Sequence, residues 1–447
     1  MNRLQRILVH PEGRFLMTED GNPFFWLGDT AWELFHRLTL EEADYYFRTR
    51  TAQMFNVVQA VILAEFRGLT EPNRYGALPL KNSDPEQPDE NYFETVDKMI
   101  LQAEKYGLYI GILPTWGDKV FPAWAKDVKP IFNERNAFQY GRFLGNRYRD
   151  QSNIIWILGG DRPPVHEGCD DRNIWRAMAA GINSGSGMRV IKTYHPMGRT
   201  SSSTHLHGES WLDMNMIQSG HGSGRDSDCW EMIAQDYIKI PIKPVLDGEP
   251  NYEDHPVNPW PVWNPSNGYY RDDDVRKQLY RSVFAGGCGV TYGHHSVWQM
   301  ASENYEPVNH SQMTWRDALH RPGANQVQYL RRLMESRPYF SRVPDQSILA
   351  QDAGILGKHI QVTKDRNGKY VMVYLPGPDK IRVRTGYIQG DKIRAWWYST
   401  KTGIALEIGK IIKTETSEFI SPDDGGDWVL VLDDLRENFP APGHLEL

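Results

Sequence analysis

The chain has 447 residues, more than one ordinary domain needs, and this length fits a barrel of roughly 250 to 350 residues with a smaller second module. With 40% hydrophobic and 24% charged residues it is expected to be a soluble globular protein, since no apolar run approaches the roughly 20 residues that cross a bilayer. The formal net charge of -7 argues against a nucleic-acid partner, because that binding depends on concentrated Lys and Arg.

A short hairpin is predicted at the N-terminus. Residues 7–10 and 14–18 form two brief strand-like runs on either side of the turn residues Pro11, Glu12 and Gly13. Because they precede the first long apolar run, we expect this hairpin to cover the N-terminal face of the domain that follows.

From residue 24 onward, apolar runs alternate with amphipathic helical stretches, which is the pattern of a parallel sheet wrapped by helices. Eight repeats favour a closed (β/α)8 TIM barrel over an open doubly wound sheet, and no glycine-rich dinucleotide motif follows the first strand. We therefore predict an α/β barrel that, with its hairpin, occupies residues 1–340. The predicted strands are residues 24–27, 57–63, 108–113, 154–158, 190–193, 214–218, 244–246 and 289–292.

Helix-start and helix-stop signals support this order. Thr39 and Glu42 form a predicted capping box before an apolar run. The stretch 91–106 places its apolar residues on one stripe and is followed by Gly107, and the stretch 271–284 behaves likewise. The helical signals are weakest around the predicted fifth and sixth strands.

The pattern changes near residue 340. Residues 341–447 contain short alternating runs separated by Gly, Asp and Pro turns, which predicts a small antiparallel β-sandwich. Such a module could bind carbohydrate or brace the barrel. We favour bracing, because no exposed row of aromatic residues is evident.

Cysteine usage and the N-terminus leave the compartment open. Cys169, Cys229 and Cys288 are too few and too scattered for a disulfide framework or a thiolate zinc site. Residues 1–10 lack the apolar stretch of a signal peptide, so the protein is expected to be cytoplasmic as the chain stands, or periplasmic or secreted if a leader was trimmed. The oligomeric state is not predicted.

Two apolar runs end in carboxylates and carry the main functional signal. Asp161 follows the predicted fourth strand behind two glycines, and Glu249 follows the predicted seventh. The carboxyl ends of barrel strands share one rim, so the two acids are expected to face each other across a pocket, as glycosidic bond cleavage requires. Asp247 should lie on the same face as Glu249 if the strand continues, and it is the alternative to Glu249.

The two acids are expected to play different roles. A partly desolvated setting beside Trp156, Gly159 and Gly160 would raise the pKa of Asp161, which suits general acid/base catalysis. Glu249 is then the candidate nucleophile. The sequence does not give the separation of the carboxyl groups, which distinguishes retention from inversion.

Polar and aromatic residues also cluster at the predicted strand ends. Flat apolar ring faces suit the C–H surfaces of sugars, and polar groups at a shared rim can bind sugar hydroxyls. The candidate substrate-binding residues are Asp29, Trp32, Glu65, Trp116, His195, His221, Asp247, His294 and Trp298.

Two other classes remain as alternatives. His205 and His207 have the alternation that would put two imidazoles on one strand face, a weak signal for a metal-dependent barrel hydrolase. A non-catalytic carbohydrate-binding scaffold is the other. We predict neither a metal nor a cofactor.

Three motifs resemble the apiosidase-like glycoside hydrolases, formerly a domain of unknown function. They are Phe25-Trp-Leu-Gly-Asp-Thr-Ala-Trp32, Trp156-Ile-Leu-Gly-Gly-Asp161 and Asp247-Gly-Glu-Pro-Asn-Tyr-Glu253, and the resemblance covers nearly the whole chain. It implies an eight-stranded barrel followed by a small sandwich. It also implies a retaining, exo-acting hydrolase of apiose-linked side chains in the pectin rhamnogalacturonan II, with Asp161 and Glu249 as the paired carboxylates.

Overall fold

The computed structural model of the chain describes residues 3–125, 128–423 and 425–445. A barrel with surrounding helices comes first and an antiparallel β-sandwich follows. The strands up to the end of the barrel are β1 Ile7–Val9, β2 Leu16–Thr18, β3 Pro23–Phe24, β4 Trp26–Thr30, β5 Val57–Leu63, β6 Tyr109–Thr115, β7 Ile154–Gly159, β8 Val165–His166, β9 Cys169–Asp170, β10 Lys192–His195, β11 Thr200–Ser201, β12 Asn215–Gln218, β13 Val245–Asp247 and β14 Gly289–Tyr292.

The helices lie between and after these strands. They are α1 Leu34–Arg37, α2 Leu40–Ala52, α3 Glu90–Lys105, α4 Glu134–Arg147, α5 Arg172–Ser186, α6 Ser203–Leu206, α7 Cys229–Tyr237, α8 Asp272–Phe284, α9 His295–Trp298, α10 Trp315–Ala318, α11 Pro322–Gln326 and α12 Gln328–Glu335. Single-turn 3-10 helices cover Lys81–Ser83, Gly117–Lys119, Pro265–Asn267, Gln346–Ile348, Leu356–Lys358, Thr385–Tyr387 and Leu435–Glu437. None of the helices in the described residues is long and apolar enough to span a bilayer.

Eight parallel strands form the predicted barrel. Hydrogen-bonded neighbours run in the order β10, β7, β6, β5, β4, β14, β13 and β12, and β11 pairs antiparallel with β12. The two ends of this series, β10 and β12, meet through the Asp213 N–H donating to Lys192 O at 2.9 Å and the Thr193 hydroxyl donating to Met214 O at 2.9 Å. The barrel is therefore nearly closed, with one irregular seam where the sequence signals were weakest, and the predicted fold is confirmed.

The barrel interior is filled by side chains and is not a pore. Trp26, Leu113, Ile157 and Met216 belong to one buried cluster, as expected for inward-facing positions of a small barrel. Ile7, Leu16 and Phe24 of the N-terminal strands join the same cluster. The predicted hairpin therefore contributes to the barrel core.

The capping box predicted before α2 is present in the structure. The Thr39 hydroxyl accepts from the Glu42 N–H at 3.2 Å, and the Glu42 carboxylate accepts from the Thr39 N–H at 2.9 Å. His205 lies in the short helix α6 and His207 at its C-terminal cap, so the pair whose alternation was a weak metal signal is not on a strand. Residues two apart on a helix do not share a face, so the alternation that suggested a metal pair is absent here.

The C-terminal strands form two antiparallel sheets. One has the order β15, β16, β17, β22, β19, β20, and a smaller one pairs β18 with β21. These strands are β15 Arg342–Pro344, β16 Gln361–Asp365, β17 Tyr370–Leu375, β18 Lys380–Val383, β19 Lys392–Ser399, β20 Ala405–Ile412, β21 Ser417–Ile420 and β22 Trp428–Asp434. The smaller sheet packs on one face of the larger, where Ile381 and Val383 share a core with Val362 and Val373.

The other face of the large sheet packs against the barrel helices. Tyr374 of β17 stacks on Tyr280 of α8 with ring centroids 5.1 Å apart. Arg276 of α8 is 1% exposed and its Nη2 lies 2.8 Å from the carboxylate of Asp427, just before β22. Arg337, between α12 and β15, pairs in the same way with Asp433 of β22 at 2.7 Å. These contacts support the bracing role that was favoured for this module.

Candidate active site

Asp161 and Glu249 lie at the same rim of the barrel. Asp161 follows the end of β7 and Glu249 follows the end of β13, and parallel strands bring their carboxyl ends to one edge. A single imidazole ring connects them. The Asp161 N–H donates to His195 Nδ1 at 3.3 Å, and His195 Nε2 lies 2.9 Å from the Glu249 carboxylate. The structure thus brings together the two acids that the sequence singled out.

The turn that delivers Asp161 requires its two glycines. Gly159, Gly160 and Asp161 have φ angles of +88°, +122° and +57°, all in the left-handed region. A Cβ on Gly159 would lie 2.5 Å from His195 O, and one on Gly160 would lie 2.7 Å from the Gly117 nitrogen. Asp161 itself is a non-glycine residue held in this uncommon conformation, as often occurs at functional sites.

Glu249 lies between two imidazole rings. His221 Nε2 is hydrogen-bonded to one carboxylate oxygen at 3.0 Å, and His195 Nε2 lies 2.9 Å from the other. The Nδ1 atoms of both rings accept backbone N–H groups, that of Asp161 for His195 and that of Tyr252, at 3.3 Å, for His221. These backbone contacts turn the Nε2 atom of each ring toward Glu249.

These contacts decide the ionisation of Glu249. Burial opposes the charged form, but the hydrogen bonds from His195 and His221 outweigh it and lower the pKa of Glu249 to about 2. Glu249 is therefore a carboxylate across the neutral and moderately acidic range.

The pKa of Asp161 is shifted in the opposite direction from that of Glu249. Burial and the nearby charge of Glu249 raise its pKa to about 6, against the opposing effects of Arg162 and His195. Its side chain is still 27% exposed, so a ligand in the pocket can reach it. Two carboxyl groups of one pocket, one kept ionised and the other inclined to hold a proton, are the arrangement of an acid and a nucleophile.

Aromatic rings line the pocket beside His195. Trp32 meets the His195 ring edge-on with centroids 5.2 Å apart, and Trp116 lies 5.7 Å from the same ring. Both indoles are nearly buried. The Trp116 Nε1–H is buried and has no hydrogen-bond partner among the residues that the structure describes. Trp32, Trp116, His195 and His221 are thus all in the region where they were predicted.

Glu65 reaches the same pocket through Arg162. The Arg162 Nη1 lies 3.5 Å from the Asp161 carboxylate, and its Nη2 lies 3.6 Å from that of Glu65. Burial, partly offset by Arg162, raises the pKa of Glu65 to about 8. The predicted residue Glu65 is therefore placed beside the proton donor and is largely protonated at neutral pH.

Two predicted binding residues point away from the pocket. Asp29 is fully buried against α2, where Arg50 Nε lies 2.6 Å from its carboxylate. His294 caps α9 by accepting the Ser296 N–H and contacts Asp254 at 3.1 Å. Both side chains are fully buried and serve the fold, so we do not retain either as a sugar contact.

Asp247 does not share the face of Glu249. The strand β13 ends at Asp247, and the carboxylate accepts hydrogen bonds from the Ser219 hydroxyl at 2.7 Å and, at 2.9 Å, from the hydroxyl of Ser282 on α8. Glu249 lies beyond the strand end, where the period-two rule no longer applies, and its side chain turns into the pocket. Asp247 is thus a poor alternative to Glu249.

Trp298 lies at the rim, further from the two acids. Its Nε1 donates to His295 Nδ1 at 3.2 Å, and its ring packs on Phe66 with centroids 5.6 Å apart. It is half-buried and packs against the cluster that contains Trp32. It can contact a ligand only at the mouth of the pocket.

Sequence reasoning missed three residues that adjoin the acids. Gln218, the last residue of β12, lies against Asp161 and favours its charged form. Tyr252 stands beside Glu249, and Arg162 lies between Asp161 and Glu65. The strand-end position that identified the other candidates also applied to Gln218. The roles of Arg162 and Tyr252 depend on loop conformation, for which the sequence carried no signal.

Two family models and several solved structures are similar to this chain. The family model described as "Apiosidase-like, catalytic domain" matches residues 10–341, and "Putative collagen-binding domain of a collagenase" matches residues 343–433. A solved glycoside hydrolase family 5 protein from Bacteroides vulgatus is similar, with 33% identity, a TM-score of 0.89 and coverage of 99% of this chain and 96% of that one. A second structure, described as a glycoside hydrolase, has 34% identity, a TM-score of 0.86 and coverage of 96% and 97%. A search of curated proteins found no match.

The turn at Gly160 leads to the first testable prediction. Gly160→Ala places a Cβ 2.7 Å from the Gly117 nitrogen and 2.9 Å from the Trp116 ring, in a backbone conformation that disfavours side chains. We expect a loss of about 2 to 4 kcal/mol in the free energy of unfolding, measured by urea denaturation. Gly168→Ala is the control, because Gly168 also has a positive φ but open space around it, and it should cost only about 1 kcal/mol. Equal losses in the two variants would contradict the packing argument.

Proposed function

This chain belongs to the apiosidase-like glycoside hydrolases, and from that premise we propose that it is a retaining, exo-acting enzyme in which Asp161 donates the proton and Glu249 is the nucleophile. The observation that carries the proposal is the opposite shift of the two carboxyl groups. The pKa of Glu249 is lowered to about 2 by two imidazole rings, whereas that of Asp161 is raised to about 6.

In the first step, a Glu249 oxygen attacks the anomeric carbon while Asp161 gives its proton to the departing oxygen. The bond to the leaving group breaks and a glycosyl ester forms on Glu249. His195 and His221 hold the attacking carboxylate in place through their Nε2 atoms, so its orientation is set before substrate binds.

The second step uses the change in charge that the first produces. Once Glu249 is esterified, it carries no negative charge, and the repulsion that raises the pKa of Asp161 is removed. The Asp161 carboxylate then takes a proton from water, the resulting hydroxide oxygen attacks the anomeric carbon, and the ester bond to Glu249 breaks. Both groups return to their starting forms.

We further propose that the sugar released is a terminal apiose from side chains of rhamnogalacturonan II. The support is the family membership, together with two long loops at the rim, residues 64–89 after β5 and residues 248–271 after β13, which suit a short pocket better than an open cleft. Incubation with this pectin should release free apiose without oligosaccharides, as measured by chromatography of the products. Release of a different terminal sugar would overturn the choice of apiose, and internal cleavage would overturn exo action.

The assignment of the two acids predicts the behaviour of their isosteric variants. Asp161→Asn and Glu249→Gln should each lower kcat by about a thousandfold or more with an unchanged circular dichroism spectrum, because each removes a group that acts on the reacting bond. Asp247→Asn is the matched control. Asp247 lies two residues from Glu249, but its carboxylate accepts hydrogen bonds only from Ser219 and Ser282. We therefore expect the Asp247→Asn variant to be less stable, with kcat changed by only a few fold. Undiminished turnover in Asp161→Asn or Glu249→Gln would instead favour a binding scaffold with activity from another source.

The opposite shifts also predict the pH dependence. Glu249 must be ionised and Asp161 protonated, so kcat/KM should stay high between the pKa of Glu249 near 2 and that of Asp161 near 6, and fall tenfold per pH unit above about 6. His221→Ala removes one donor to Glu249 and should move the acidic limb upward while the alkaline limb stays in place. His205→Ala, a histidine outside the pocket, should move neither limb. An acidic limb that is unchanged in His221→Ala would contradict the role given to that imidazole.

A further inference from the structure

An exposed tryptophan lies next to the proton donor without a structural reason for its exposure. Of the fifteen tryptophans, eleven are buried and only Trp124 and Trp260 are more than half exposed. An exposed indole does not gain the favourable free energy of burying its large apolar surface. Trp124 is 55% exposed and lies in the segment after β6, at the carboxyl-end rim.

Arg162 holds this indole in a fixed relation to Asp161. The Arg162 guanidinium lies over one face of Trp124, 3.8 Å from the ring centroid. The same guanidinium donates to the Asp161 backbone oxygen at 3.0 Å and lies 3.5 Å from the Asp161 carboxylate. One guanidinium thus separates the ring from the proton donor, and the exposed surface of the indole lies away from Arg162.

Arg162 also has spare hydrogen-bonding capacity. It is 1% exposed, yet its Nε and Nη2 have no hydrogen-bond partner among the residues that the structure describes. The nearest acceptor to Nη2 is Glu65, at 3.6 Å, which is beyond ordinary hydrogen-bond length. These two nitrogens are thus buried without partners in the described part of the chain, while the rest of the guanidinium is fixed by Asp161 and Trp124.

The reaction geometry decides which part of the substrate meets these residues. The proton donor adjoins the oxygen that leaves, so the group attached to that oxygen lies on the side of Asp161 away from Glu249. Trp32 packs on His195, the ring that contacts both acids, and so lies where the sugar that becomes covalently bound must sit. Arg162 contacts Asp161 and Glu65, and Trp124 packs on Arg162, so Trp124 is connected to the proton donor and not to Glu249.

We propose that Trp124 and Arg162 form the subsite for the leaving group and that this subsite takes a sugar ring. The C–H face of the ring stacks on the open face of the indole, whose other face is held by Arg162. The enzyme is thereby selective for glycosides whose leaving group is itself a saccharide. This inference rests on the proposed function, and it adds a specificity-determining residue, Trp124, that the two-step chemistry does not require.

The test compares two substrates with the same glycone. The saccharide substrate is an apiose-bearing oligosaccharide of rhamnogalacturonan II, and the other is apiosyl fluoride, whose fluoride ion is too small to reach Trp124. We expect Trp124→Ala to lower kcat/KM about tenfold on the oligosaccharide, the loss typical of one aromatic stacking contact, and less than twofold on the fluoride. Trp124→Phe should recover most of the loss.

Trp260→Ala is the matched control, because Trp260 is equally exposed but lies beside His255, behind the nucleophile side of the pocket. It should affect both substrates to the same extent. An equal effect of Trp124→Ala on both substrates, or no effect on either, would overturn the leaving-group subsite while leaving the proposed function intact. If the unaltered enzyme hydrolyses neither substrate, the proposed function fails and this inference fails with it.

Discussion

The two imidazole rings that contact Glu249 are the constraint around which the rim is arranged. His195 ends β10, His221 follows β12 and Glu249 follows β13, so three neighbouring strands must end at matching heights for the bonds to form. The His195 ring accepts the backbone N–H of Asp161, and the His221 ring accepts that of Tyr252, so the backbone orients both rings. The contact between His195 and Glu249 crosses the seam between β10 and β12, where the regular strand ladder is missing. The catalytic contacts therefore also connect the barrel where its own pairing is weakest.

The electrostatics of the pocket follow from the same arrangement. Because each imidazole accepts a backbone N–H at Nδ1, its Nε2 is turned toward Glu249, and both rings lower the pKa of that carboxyl group. Behind His221, burial keeps the pKa of His255 well below its usual value, and that of His295 falls to about 3. The wall beside Glu249 thus adds no further positive charge. Near Asp161, the Arg162 guanidinium lies between the carboxyl groups of Asp161 and Glu65. A positive charge is therefore next to Asp161, the residue that must alternate between acid and base.

The sequence predicted the strands of the barrel and the two acids for the same physical reason. Parallel strands are buried on both faces and appear as apolar runs, and whatever follows a run lies at the shared rim. Position along the strand does not tell which way a side chain points. The Asp29 side chain points outward to Arg50 on α2. The side chain of Asp247, the last residue of β13, points to Ser282 on α8. The environment of Arg162 was beyond prediction, since it depends on where a loop more than thirty residues earlier in the chain places Trp124.

The sandwich and the barrel share an apolar layer that is closed by buried ion pairs, Arg276 with Asp427 and Arg337 with Asp433. Removing the sandwich would expose that layer, leave Arg337 without its carboxylate and leave Arg276 with only Asp272, at a large cost in stability. The two parts are therefore not modules that recombination can exchange freely. A gene encoding such a barrel has to inherit its sandwich with it, or replace the aromatic face of α8 with polar residues in the same evolutionary step.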